Sequence, residues 1–279
     1  MKVLVTGGNG QLARAIAETW TGDELRRVDV EDFDLGTPGA AAEAVEAFRP
    51  QVVVSAGAWT AVDACEADPS RADLVNGRAV GWLGEACEAQ GALLVHLSTD
   101  YVFDGHSLRP YLETDPAAPA TAYGRSKLLG EQEALRAKEH LVLRTAWLYE
   151  SWGNNFLRTM LRMAREGRSL KVVDDQFGSP TSCRALARQI RSAVDEGWRG
   201  LFHATCGGET SWYGFAREIF RQAGLEPALH PCTSAAFQRP APRPGFTVLD
   251  NAKRLAAGRN LMPHWREALA EVLASGVED

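Results

Sequence analysis

At 279 residues, with 45% hydrophobic and 24% charged side chains, the chain is long and apolar enough for one large domain or two modest ones, which excludes a disordered segment. A net charge of −6, with the basic residues spread along the chain, argues against a nucleic-acid binder. The five cysteines form no CxxC pair and no run approaches the roughly 18 apolar residues of a membrane span, so a protein with reduced thiols and no membrane partner is expected.

Short apolar strands alternate with helical stretches through the first half. Residues 2–5 (KVLV) predict a first strand and 11–20 a first helix; 25–30 (LRRVDV) predict a second strand and 40–48 a second helix. The opening strand runs into glycines and not into a signal sequence, so a cytoplasmic location is expected. Residues 51–55 (QVVVS) predict the third strand, a helix follows around 74–90, and 92–97 (ALLVHL) predict the fourth strand. A helix over about 121–137 leads to a fifth strand at 140–144 (HLVLR). Near-continuous apolar runs suit strands covered by helices on both faces of a parallel sheet. Repeated βα units place the chain in the α/β class, as a doubly wound, Rossmann-like parallel sheet.

Residues 1–149 are therefore expected to form a dinucleotide-binding domain. Beyond about 150 glycines, prolines and isolated aromatics become frequent, with an irregular stretch from Pro227 to Pro244. Segments 170–173 and 201–204 read as strands that either return to the main sheet or build a lid. Residues 150–279 are expected to be mainly a smaller mixed α/β substrate region, closing over the carboxyl ends of the strands.

Gly7, Gly10 and Ala13 have the spacing of a glycine turn between a strand and a helix. Such a turn lets the backbone approach a pyrophosphate, and the helix N-terminus beyond aims N–H groups at the phosphates. Its place between the first strand and first helix makes the cofactor reading stronger than that of an ordinary tight turn. Asp29, 22 residues after Gly7, ends the second strand, where a carboxylate bonds adenosine ribose hydroxyls and favours NADH. Arg26 and Arg27 pull toward NADPH, so both cofactors stay open; Asp34 and Leu35 fall near the adenine.

Tyr123 and Lys127 are four residues apart in a stretch rich in Ala, Leu and Glu, so they share one helix face. A nearby ammonium favours the phenolate and lowers a phenol pKa from its usual value of about 10. Thr99 follows the fourth strand and supplies a hydroxyl. Strand alternation sends its neighbour Ser98 to the opposite face. No HxxH, HxH or Cys/His cluster appears in the sequence, and no metal is assigned.

These residues resemble the short-chain dehydrogenase/reductase superfamily in its extended, nucleotide-sugar branch, and within it the dTDP-4-dehydrorhamnose reductase family. The segments that carry the resemblance run in order through nearly the whole chain. They include Thr6 to Leu12 (TGGNGQL), Ala58 to Asp63 (AWTAVD), Ser98 to Gly105 (STDYVFDG), Tyr123 to Glu131 (YGRSKLLGE), Leu143 to Tyr149 (LRTAWLY), Asp175 to Thr181 (DQFGSPT), Ser211 to Ala216 (SWYGFA) and Arg243–Pro244. The resemblance implies reduction of a 4-ketosugar, with Tyr123 as proton donor, Lys127 lowering its pKa and holding the nicotinamide ribose, and Thr99 orienting the carbonyl. It adds Asn9, Gln11, Leu12, Ala56, Gly57 and Ala58 to the cofactor site. To the nucleotide-sugar site it assigns Thr60, Val62, Asp100, Tyr101, Trp147, Gln176, Arg239 and Arg243, with the arginines suited to a diphosphate. The chain departs from the family pattern at Ala13, at Trp59 and at Gly77, early in a helix. A monomer or homodimer is expected. Rival expectations are another dTDP-4-ketosugar reductase, and a dinucleotide-binding regulatory subunit resembling the methionine adenosyltransferase β subunit.

Overall fold

The apolar runs form the expected strands. The computed structural model describes residues 1–278. In chain order, β1 (Lys2–Thr6) is followed by α1 (Gln11–Thr19), β2 (Glu24–Val28), α2 (Ala40–Phe48) and β3 (Val52–Ser55). Next come α3 (Val62–Ala67), α4 (Pro69–Asp73), a π-helical turn (Leu74–Arg78) and α5 (Ala79–Gln90). Then follow β4 (Leu93–Thr99), a 3₁₀ turn (Asp100–Val102), α6 (Ala122–Ala134), β5 (His140–Thr145) and β6 (Leu148–Tyr149). The second half adds α7 (Phe156–Arg165), β7 (Leu170–Val173), β8 (Phe177–Gly178), β9 (Thr181–Ser182), α8 (Cys183–Asp195) and β10 (Gly200–His203). It ends with β11 (Thr210–Ser211), α9 (Trp212–Ala223), β12 (Leu229–Cys232), α10 (Ala252–Ala257) and α11 (Trp265–Ala274).

Six parallel strands form the main sheet in the order β10-β5-β4-β3-β1-β2. Side-chain alternation divides its burial between two faces. Val3, Val5, Val95 and Leu97 pack with Ile16 of α1 and Leu186 and Ile190 of α8. Leu4, Val53 and Leu94 pack with Val45 of α2, Val80 and Leu83 of α5 and Ala134 of α6. Of the two late segments, β10 joins the sheet beside β5, whereas β7 pairs with β12 away from it.

The chain leaves β1 for β2 on one side and returns to β3 on the other. That reversal opens a crevice at the carboxyl ends of β1 and β3, where open α/β sheets bind ligands. Gly7 has φ +68°, and a Cβ there would lie 2.7 Å from the Gly57 Cα, so the two strand exits approach as only glycine allows. The helix expected around 74–90 is interrupted at its start. The Ala79 N–H reaches the Leu74 carbonyl, five residues back, and a Cβ on Gly77 would strike the Leu129 side chain at 2.5 Å. The early glycine thus lets the π-helical turn lie against α6.

Candidate active site

Two cavities open at the carboxyl end of the sheet. One, of about 530 Å³, is lined by Gly7, Gly10, Gln11, Leu12, Asp29, Asp34, Leu35, Ala56, Gly57 and Ala58. Asn9 sits at its edge: its N–H donates to Asp29 Oδ2 at 2.7 Å, which anchors the carboxylate beside the glycine turn. Helix α1 starts at Gly10 with no side-chain cap and no acid in its first turn, so its N–H groups are left for an anion. Together with the Gly7–Gly57 cradle, which any Cβ would fill, this fits a dinucleotide pyrophosphate. Arg27 lies against the same turn, with Nη1 donating to the Gly8 carbonyl at 3.3 Å. Phe33, Val75, Leu97 and Leu148 also line the cavity; being apolar, they carry no sequence signal of their own for a cofactor.

The second cavity, of about 630 Å³, is lined by Tyr101, Gln176, Arg239 and Arg243, with an apolar wall of Phe156, Met160, Met163 and Trp212. Five residues expected at the substrate, Thr60, Val62, Thr99, Asp100 and Trp147, are absent from its lining. Thr60 lines the first cavity because the segment after β3 runs along the crevice, and Val62 opens α3 in the wall of neither. Trp147 is turned away from the space by a φ of 50°. Its ring stacks on Trp212, centroids 3.5 Å apart and planes at 5°, and Gly178 makes room for it. Trp212, inside a quoted segment but given no role from sequence, takes the exposed place in that wall. Arg243 is held for the present by Asp63, with Nη2 to Oδ2 at 2.9 Å.

Between the cavities lie the groups of the proposed chemistry. Thr121 caps α6 by accepting from the Gly124 N–H at 2.9 Å, which puts Tyr123 in the first turn. A Cβ on Gly124 would lie 2.2 Å from the Tyr101 carbonyl, so glycine brings the helix directly onto the turn that follows β4. The Tyr123 ring meets Tyr101 edge-on at 5.6 Å. Burial pushes the Tyr123 phenol above its ordinary value, partly opposed by the neighbouring Thr99 hydroxyl, with the Asp100 charge adding to the rise. The phenol is therefore protonated at neutrality. The Lys127 side chain runs to β4, where Nζ donates to the Leu97 carbonyl at 2.6 Å. Burial, partly offset by Glu131, brings the Lys127 ammonium down to about 8.

Thr99 Oγ1 donates to Asp100 Oδ1 at 2.9 Å, and Thr247 Oγ1 to Asp100 Oδ2 at 2.5 Å. Burial raises Asp100 to about 6 against these hydroxyls. Asp100 thus ties the end of β4 to the segment that carries Arg239 and Arg243. Sequence reasoning missed two further buried groups. Asn76 grips Trp59 through both backbone atoms, at 2.7 Å and 3.0 Å, and donates to Ser126 Oγ at 3.0 Å, clamping the loop after β3 to α6. Glu131 accepts from Ser98 and from Nε and Nη2 of Arg144, at 2.5 Å, 2.8 Å and 2.7 Å, and so fastens α6 to β4 and β5. A polar residue at a buried helix or strand position was the available signal for both.

A family model described as the RmlD substrate binding domain matches residues 1–277. The dTDP-4-dehydrorhamnose reductase of Burkholderia thailandensis is 43% identical over 96% of this chain and 97% of its own. The chain belongs to the dTDP-4-dehydrorhamnose reductase family. A probable dTDP-4,6-dihydroxy-2-methyloxan-3-one 4-ketoreductase of Streptomyces antibioticus is 41% identical, over 97% of this chain and 94% of that one. The solved dTDP-4-dehydrorhamnose reductase of Bacillus anthracis, in complex with NADP, superposes with a TM-score of 0.94 at 32% identity, covering 98% of this chain and 99% of that one. The reductase thus shares with these relatives a fold that runs through both cavities.

Proposed function

We propose that this reductase converts the 4-keto group of a dTDP-4-keto-6-deoxyhexose to the alcohol, taking dTDP-4-dehydro-L-rhamnose to dTDP-L-rhamnose with NADPH or NADH. The observation that carries the proposal is the placement of Tyr123, Thr99 and Lys127 between the two cavities. Tyr101, edge-on to Tyr123, lines the larger one, and Leu97, whose carbonyl holds Lys127, lines the other. Bound in the smaller cavity, a reduced nicotinamide supplies hydride. Tyr123, protonated at neutrality, gives its phenolic proton to the carbonyl oxygen. Thr99 turns its hydroxyl from Asp100 to the same oxygen and orients it. Lys127 offers its ammonium to the ribose and holds down the charge that forms on the phenolate. Arg243 and Arg239, at the mouth of the larger cavity, take the diphosphate, and Arg243 leaves Asp63 to do so.

Residues 150–279 supply most of the substrate side, and residues 1–149 the cofactor side. We further assign the protein to the cytoplasm as a monomer or homodimer, with neither nucleic acid nor membrane as partner. The net charge of −6 supports this, as does the lack of any helix among the described residues long and apolar enough to cross a membrane. The test is cofactor oxidation with dTDP-4-keto-6-deoxyhexoses, offering the keto-glucose and keto-rhamnose isomers and identifying the product by NMR. Turnover of the second to dTDP-rhamnose is expected. Turnover to another deoxysugar would favour the second reading, to which the Streptomyces antibioticus relative lends support. Tight dinucleotide binding without any turnover would leave a regulatory subunit.

Asp29 makes a separate prediction about the cofactor. Its carboxylate, fixed by the N–H groups of Asn9 and Val30, disfavours a 2′-phosphate by charge. Asp29→Ser is expected to raise the ratio of kcat/KM for NADPH over NADH by about tenfold, a change of about 1.4 kcal/mol. An unchanged ratio would remove Asp29 from cofactor selection.

A further inference from the structure

Lys127 is almost fully buried and its cationic head has no carboxylate of its own. The nearest, Glu131 one turn along α6, spends its oxygens on Ser98 and on Nε and Nη2 of Arg144. It still favours the ammonium by charge, but gives it no hydrogen bond. What faces the ammonium directly comes from β4: the Leu97 carbonyl at 2.6 Å and His96 Nε2 at 3.4 Å. A buried ammonium is costly unless lone pairs receive its protons. His96 is itself wholly buried, at 0% exposure, with Nδ1 3.2 Å from Ser55 Oγ at the end of β3.

The chemistry decides the tautomer. An ammonium only donates, so Nε2 must present its lone pair and the ring proton must sit on Nδ1, donated to Ser55. Burial and the Lys127 charge together hold His96 well below its ordinary value, so the ring is neutral and the lone pair available. Gly130 of α6 lies beside the ring, where a Cβ would be 3.1 Å from Nε2 and 2.2 Å from the Asn76 carbonyl oxygen.

We propose that His96 is a positioning residue: its Nε2 lone pair holds the Lys127 ammonium in place, and Ser55 fixes the imidazole in the tautomer that can do so. The inference rests on Lys127 being the lysine of the reductase site. The charge of Lys127 is present below about 8 and is lost as the pH rises through that value. Loss of an acceptor for the charged form moves that loss to lower pH.

The experiment compares His96→Leu, which removes the lone pair, with His96→Gln, whose amide oxygen supplies one at similar reach. Steady-state kcat/KM for the keto-rhamnose substrate is followed over about pH 6 to 10. For His96→Leu the basic limb is expected to move down by roughly one unit, with kcat/KM near pH 8 falling about tenfold. For His96→Gln the limb returns toward its parental place. A limb that stays put in His96→Leu, or that moves equally in both variants, overturns the proposal, since a purely structural role lowers the rate without moving the limb. Each variant's thermal midpoint and dinucleotide affinity are measured alongside. Should His96→Leu not fold, Ser55→Ala decides with His96→Gln: the ring remains, its tautomer is released, and a parental limb in Ser55→Ala overturns the proposal. Lys127→Ala separates the two layers. Its full activity would remove the site itself, whereas an inactive Lys127→Ala beside a parental His96→Leu limb removes only the role of His96.

Discussion

Replacing Tyr123 with Phe is expected to lower kcat by about 10²–10⁴-fold while dinucleotide affinity stays near the parental value. Phe keeps the ring and its edge-on packing against Tyr101 and removes only the hydroxyl. That hydroxyl lies beside Thr99, at the meeting of the two cavities, and burial keeps it protonated at neutrality. Ketone reduction needs a proton delivered as hydride arrives, and in the proposed mechanism Tyr123 gives it. Asp100, raised to about 6, is mostly ionised at neutral pH and accepts from two hydroxyls. Lys127 gives its shortest hydrogen bond to Leu97. The measurement is kcat with saturating cofactor, with binding read separately by fluorescence. A variant within about threefold of the parent in kcat would reject Tyr123 as the acid.

Arg144→Met is expected to destabilise the protein by about 3–5 kcal/mol, because it leaves the Glu131 carboxylate buried and uncompensated. Both side chains are below 6% exposed, and the pair joins α6 to β5 one helical turn from Lys127. Only Ser98 would remain as a partner for Glu131. Adding Glu131→Leu in the same chain is expected to recover much of the loss, since replacing both charges by apolar groups of similar size removes the unpaired carboxylate. Urea unfolding of the parent, both single variants and the double variant measures this as a coupling energy. Single-variant losses that simply add would mean that the pair is not coupled.

The sheet was legible because its strands are buried on both faces and so read as unbroken apolar runs. β1, β3, β4 and β5 all begin within two residues of their expected starts. β4 extends two residues further than the apolar run suggests, since Ser98 and Thr99 continue the ladder opposite Arg144 and Thr145. The glycine turn, Asp29 and the Tyr–Lys pair were legible for a different reason. Each is a local spacing whose chemistry needs only one strand, one turn or one helix. Trp147 shows the limit of such reasoning. Its position past β5 marks it as a pocket aromatic, but its backbone conformation and the stack on Trp212 place it behind the wall. No local pattern reports on a partner 65 residues away.

Lys127 marks the same boundary within the site. Spacing alone puts it on the face of Tyr123, and there a long flexible side chain could reach the phenol. Its actual partners come from β4, the Leu97 carbonyl and His96 Nε2, while Glu131, one turn along α6, is taken by Arg144. The sequence by itself determined the parallel sheet and nominated the phosphate turn and the reactive groups, because strand burial, helix periodicity and glycine turns are short-range in the chain. Tertiary structure alone decided which buried lone pairs and charges meet those groups, because each meeting joins separate strands and helices, and burial then sets the protonation state of every partner.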